Sequence, residues 1–102
     1  MELKKFDVVD FLDSDEMLIE YLNAALAEND PAFFAKAIGD VARAQGMTSI
    51  SEATGLGRQS LYKALSAGGN PRIDTLFKVL DALNIRLAAT PASKLQLQRS
   101  PR

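Results

Sequence analysis

Apolar side chains recur every three to four positions along most of the chain. Leu18, Tyr21, Leu22, Ala25 and Leu26 form one stripe, Phe34, Ala37, Ile38, Val41 and Ala42 a second, and Ile73, Leu76, Phe77, Val79, Leu80 and Leu83 a last one. That period belongs to helices turning one face to a core. Ser14 is placed as an N-cap, with Asp15 and Glu16 in the first turn where the helix dipole favours acids, which predicts a helix to about Ala27. Asn29-Asp30-Pro31 breaks the chain and restarts it, Asp30 capping and Pro31 in first position, and the second helix stops near Gly46. A short helix follows from Thr48 to about Thr54, with Ile50 and Ala53 inward, closed by Gly55 as a left-handed C-cap. Another runs from Arg58 to Ser66, and Gly68-Gly69-Asn70-Pro71 ends it before a fifth helix that starts at Asp74 or the residue before it. Ile85, Leu87 and Ala89 alternate with Arg86, Ala88 and Thr90, the pattern of a short strand, and Lys4 to Leu12 fits a strand or a helical turn equally. The expected fold is therefore all-α, a five-helix domain with a short C-terminal strand, followed over residues 91–102 by a polar, proline-containing tail expected to be mobile.

At 102 residues and 47% hydrophobic side chains, the chain has material for one core and not for two. It has no cysteine and no histidine, which excludes disulfides, thiol nucleophiles and thiolate metal sites and removes the commonest general base and metal ligand. The acids Asp10, Asp13, Asp15 and Glu16 crowd an exposed stretch with no histidine, cysteine or glycine-rich phosphate loop to work beside, so no catalytic site, metal or cofactor is expected. No apolar run approaches the roughly 20 residues of a membrane span and the opening MELKKFDVVDF lacks a signal-peptide core, which makes a cytoplasmic location the expectation and no membrane a partner. The net charge of −1 hides a division: residues 1–33 hold nine acids and two lysines, −7, while residues 34–102 hold ten basic residues and four acids, +6. Such asymmetry suits a polyanion on one half and a cationic partner on the other, or simply a solvated acidic face on the first helix.

Residues 48–66 read as a short helix, a Gly55-Leu56-Gly57 turn and a second short helix, the helix-turn-helix arrangement in which the second helix enters the DNA major groove. Ile50, Ala53, Leu56, Leu61 and Leu65 would pack inside the angle, although a generic helical hairpin shares that spacing. Arg58, Gln59, Tyr62 and Lys63 fall off the leucine face and can point outward. Arg58 and Gln59 stand in the first turn, where arginine and glutamine make paired bonds to guanine or adenine edges; Tyr62 and Lys63, one turn later, suit a thymine methyl, a base edge or a phosphate. Thr48, Ser60, Asn70 and Arg72 sit at helix starts or beside the turn, where donors meet phosphates, with capping as the plainer role for Thr48 and Asn70.

Ile50, Ala53, Gly55, Leu56, Leu61, Leu65, Pro71, Thr75, Leu76 and Leu83 resemble the Cro/C1-type (XRE) helix-turn-helix. FDVVDFLDSDEMLIEYLNAALAENDPAFFAKAIGDVARAQGM, followed by LYKAL and GNPRIDTLFKVLDAL, resembles the probable addiction-module antidote family, HigA-like antitoxins, over about residues 5–88. The resemblance implies a DNA-binding antitoxin of a type II toxin–antitoxin module that neutralises a RelE/ParE-type toxin encoded beside it and represses their shared operon. Family members often carry serine where Gly57 stands, which removes one cap hydroxyl and its phosphate contact. On this reading the organisation is an acidic helical extension over residues 1–30 packed on a DNA-binding domain over 31–90. Because toxins of that kind are basic, the acidic first helix, with Asp13, Asp15, Glu16 and Glu20, is the expected toxin contact. A palindromic operator read by two helices expects a homodimer, with the fifth helix and the Ile85–Ala89 strand as its interface. The alternative is a stand-alone XRE-type repressor, which shares the reading helix but has no need of the acidic extension; RNA binding would want a more basic surface and more stacking aromatics.

Overall fold

The computed structural model describes residues 7–92. The Lys4–Phe6 part of the opening segment, and residues 93–102 of the tail expected to be mobile, lie outside the described residues. Short polar side chains start the first elements. Asp7 accepts the Val9 N–H at 3.1 Å and caps one 3-10 turn over Val8–Phe11, so the opening stretch is a helical turn. Ser14 Oγ accepts the Met17 N–H at 3.2 Å and begins α1 (Asp15–Ala27). Asp30 Oδ1 accepts from Ala32 and Phe33 at 3.0 and 3.3 Å, with Pro31 in the first turn of α2 (Pro31–Gln45). Three shorter helices follow: α3 (Met47–Thr54), α4 (Arg58–Ala64) and α5 (Ile73–Ala82). The fold is all-α, with five α-helices and no strand among the described residues.

The expected C-terminal strand over Ile85–Ala89 is thus absent. Alternation marks a segment able to enter a ladder, but a ladder needs a partner strand, and the described residues supply none. Ile85 instead turns back on the helix before it, its N–H bonding the Leu80 carbonyl at 2.9 Å and its side chain half-buried against the core.

The second helix is the hub. It touches the 3-10 turn and all four other helices, and it buries Ala35, Ala37, Ile38, Val41 and Ala42. Around it close Leu18 and Leu22 from α1, Ile50 from α3, Leu61 and Leu65 from the α4 segment and Val79 and Leu80 from α5. Each such large side chain contributes about 1.5 to 3 kcal/mol on burial, and that is what holds helices too short to persist alone. The expected apolar faces are wider than the surfaces covering them in three places, the first being Leu26 of α1, which is 41% exposed. Ala53 is exposed, not inward. In α5, which packs on α2 and α3, Val79, Leu80 and Leu83 are buried while Ile73 and Phe77 stay 73% and 59% exposed.

One carboxylate is buried among the described residues. Asp40, 3% exposed, accepts from Tyr21 Oη at 2.5 Å and Lys36 Nζ at 3.0 Å on Oδ2, and from Arg43 Nη2 at 3.1 Å on Oδ1. Arg43 reaches on to Asp7 at 3.5 Å. Burial works to raise the Asp40 carboxyl, but the bonds from Tyr21, Lys36 and Arg43 outweigh it and hold the group below the ordinary carboxylate range. The same contact acts oppositely on Tyr21: burial, then the hydrogen bond to Asp40, pushes its hydroxyl well above its usual value. These bonds tie α1 and the opening turn to α2.

Candidate nucleic-acid interface

The sequence between α3 and α4 is three residues long, and each end of it is fastened locally. Gly55 takes the left-handed conformation at φ 76°, and its N–H closes on the Ser51 carbonyl at 2.9 Å. Ser51 Oγ donates to the Leu56 carbonyl at 2.5 Å. Thr54 Oγ1 donates to the Ile50 carbonyl at 2.8 Å and accepts the Leu56 N–H at 3.2 Å. Two hydroxyls therefore satisfy the backbone groups that the turn exposes, while Leu56 packs half-buried against the core. Helix α4, seven residues long, is then seated by Leu61 within it and Leu65 at its end, both buried.

Arg58, Gln59, Ser60, Tyr62 and Lys63 are all exposed on α4, opposite that anchorage. Thr48 is exposed within the first turn of α3 and does not cap it, since Gly46 holds the N-cap position with no side-chain bond. Asn70 does not cap either: it is exposed in the loop, and Arg72 holds the N-cap position of α5. Arg72 Nε donates to Asp74 Oδ1 at 3.1 Å while its side chain remains open to solvent. The exposed α4 side chains thus lie on one short helix, with Thr48, Asn70 and Arg72 on the segments that flank it.

A cavity of about 220 Å³ adjoins this face between α2 and α4, bordered by Tyr62 and Ser66 on one side and Lys36, Asp40 and Arg43 on the other. Lys36, Asp40 and Arg43 stand at i, i+4 and i+7 on α2, a spacing that would have revealed the charge ladder from sequence. Nothing in the spacing places it beside Tyr62. Asp13, Asp15, Glu16 and Glu20 are exposed at the start of α1, outside the α3–α4 segment. Among the described residues no group of histidine, cysteine or carboxylate side chains is arranged to hold a metal, and no helix is long and apolar enough to cross a membrane.

A small helical domain with a short, externally polar helix after a tight turn is compatible with the helix-turn-helix class. The chain belongs to the probable addiction module antidote protein family, whose model matches residues 2–91. It is also 45% identical over 85 residues to an uncharacterized protein of Haemophilus influenzae (strain ATCC 51907 / DSM 11121 / KW20 / Rd), a match covering 83% of this chain and 88% of that protein. No solved structure matches. Membership implies a toxin as partner in general, and a regulatory rather than enzymatic role.

Proposed function

We propose that this antidote is a DNA-binding antitoxin of a type II module, using an XRE-type helix-turn-helix of the kind found in HigA-like proteins. It reads operator DNA as a homodimer through α4, represses its own operon and neutralises a RelE/ParE-type toxin in the cytoplasm. The observation that carries the DNA half is the set Arg58, Gln59, Tyr62 and Lys63, all exposed on a helix whose other side is locked down by Leu61 and Leu65. Side chains able to pair with base edges are of use only on a helix held rigidly at a fixed angle. Thr48, Ser60, Asn70 and Arg72 supply phosphate contacts around it. The toxin half is supported by the family and by the −7 charge of residues 1–33.

The test is a titration of the purified chain onto DNA from upstream of its own gene and onto random DNA, at two salt concentrations. Preference of a hundredfold or more for the upstream DNA supports the reading; equal affinity sinks it. A stand-alone repressor would bind that DNA equally well and would bind no product of the neighbouring reading frame. Deleting residues 1–30 is a poor way to separate the two, because Leu18, Leu22 and Ala25 belong to the core and Tyr21 bonds Asp40. Surface substitutions on α1 leave that packing intact.

A further inference from the structure

Ile19 of α1 stands outside the stripe of Leu18, Tyr21, Leu22, Ala25 and Leu26 and is 43% exposed. Beside it a cleft of about 300 Å³ opens between α1 and the turn that leaves α5, lined by Asp15, Leu18, Ile19, Asn84 and Ile85. Its floor is apolar and firm: Leu18 is buried and Ile85 is half-buried against the core. Asn84, in the left-handed conformation at φ 62°, turns the chain across one end. At the other end Asp15 and Ile19 lead onto an open face bordered by Glu16 and Glu20. No cation lines either part, and among the described residues no ion pair engages Asp15, Glu16 or Glu20.

We propose that this cleft is the docking site for a cationic amphipathic segment of the partner toxin. An apolar side chain of that segment inserts beside Ile19 over Leu18 and Ile85, and flanking lysine or arginine side chains meet Asp15, Glu16 and Glu20. The proposal rests on the antitoxin reading above and assigns the contact to a place: it adds the Asn84–Ile85 turn to the acidic helix and leaves Asp13, which does not line the cleft, at its margin. Charge decides between occupants. A second copy docked here about a two-fold axis would set the same three carboxylates against their own images, a juxtaposition that costs rather than contributes. A basic segment offset by apolar anchoring fits both the floor and the rim. The cleft contains no residue of α3 or α4.

The experiment uses the full chain and the purified product of the adjacent reading frame, followed by surface plasmon resonance and light scattering. Ile19→Arg should weaken the complex at least tenfold, chiefly through faster dissociation, as loss of a buried anchor does. Glu16→Lys with Glu20→Lys should slow association and reduce its dependence on salt. Phe33→Ser, on an equally exposed apolar side chain of α2, is the control and should change neither. Thermal melting and operator binding of each variant verify the fold. If Ile19→Arg binds within twofold of the unsubstituted chain, or if it lowers the mass of the free antitoxin, or if Phe33→Ser weakens the complex as much, the docking site is wrong while the antitoxin reading stands. If the unsubstituted chain does not bind that protein at all, the antitoxin reading fails and the docking site with it.

Discussion

Gly39 of α2 lies directly against the backbone carbonyl of Leu65 at the end of α4, so close that a Cβ at residue 39 would overlap it. Alanine normally gains about 1 kcal/mol over glycine inside a helix. Here the steric cost dominates, because the obstacle is backbone and overpacking of that kind costs about 1 to 3 kcal/mol. Gly39→Ala should therefore lower stability in denaturant unfolding and, by displacing α4, weaken operator binding further than the stability loss accounts for. Gly68→Ala, where a Cβ meets open space, should leave both within about 0.5 kcal/mol.

The Asp40 cluster predicts a pH dependence. Its carboxyl is held below its ordinary value in the folded chain, so the stabilisation is fully present above the unfolded value, near about 4. It is lost as pH falls through that value and then through the folded one. Unfolding free energies measured from pH 7 down to 3 should fall more steeply for the natural chain than for Asp40→Asn. Tyr21→Phe, which removes the donor from α1, should cost about 1 to 2 kcal/mol at neutral pH. An unchanged slope in Asp40→Asn would show that the cluster does not set the acid sensitivity.

On α4, Arg58→Ala or Gln59→Ala should reduce affinity for the operator by about 1 to 3 kcal/mol with little effect on random DNA. Arg72→Ala should weaken both alike and flatten the salt dependence by about one unit. Parallel titrations separate the cases, and equal losses on both DNAs for Gln59→Ala would remove that residue from base reading.

Gly57 has the extended backbone of an N-cap at φ −68°, and a Cβ there would meet nothing nearer than Ser60 Oγ at 4.0 Å. Gly57→Ser should therefore fit without strain and stabilise α4 by a few tenths of a kcal/mol, roughly the measured advantage of serine over glycine at that position. If the added hydroxyl also reaches a phosphate, affinity for operator and random DNA should rise together.

For the proposed homodimer, the exposed Ile73 and Phe77 are the leading surface. Phe77 borders a cavity of about 310 Å³ that also holds Asp81 and Arg86. Opposite charges in one recess of mixed polarity suit a two-fold interface, where each copy presents both members of the pair. Phe77→Glu should shift the mass measured by light scattering toward the monomer and weaken operator binding, and should remove the concentration dependence of the melting temperature that dimerisation confers. A dimer that persists would move the interface elsewhere.

Features that depend on neighbours within about one helical turn are legible along the chain. The caps at Ser14 and Asp30, the left-handed stop at Gly55 and the outward set on α4 all follow from hydrogen bonds or spacing over a few residues, and they stand where the periodicity put them. Features that depend on which surfaces meet arise only when the helices pack together. Tyr21 reads as one more member of an apolar stripe, and only the approach of α1 to α2 makes it the partner of Asp40, nineteen positions away. The stripes of α3 and α5 contain Ala53, Ile73 and Phe77 at good helical spacing, yet a helix face is buried only as far as another element covers it. Alternation over Ile85–Ala89 is a capacity to pair, and with no second strand among the described residues the chain packs Ile85 half-buried against the core. Closeness between α2 and α4 at Gly39 is likewise invisible along the chain, because it is a contact between backbones that no side-chain pattern records.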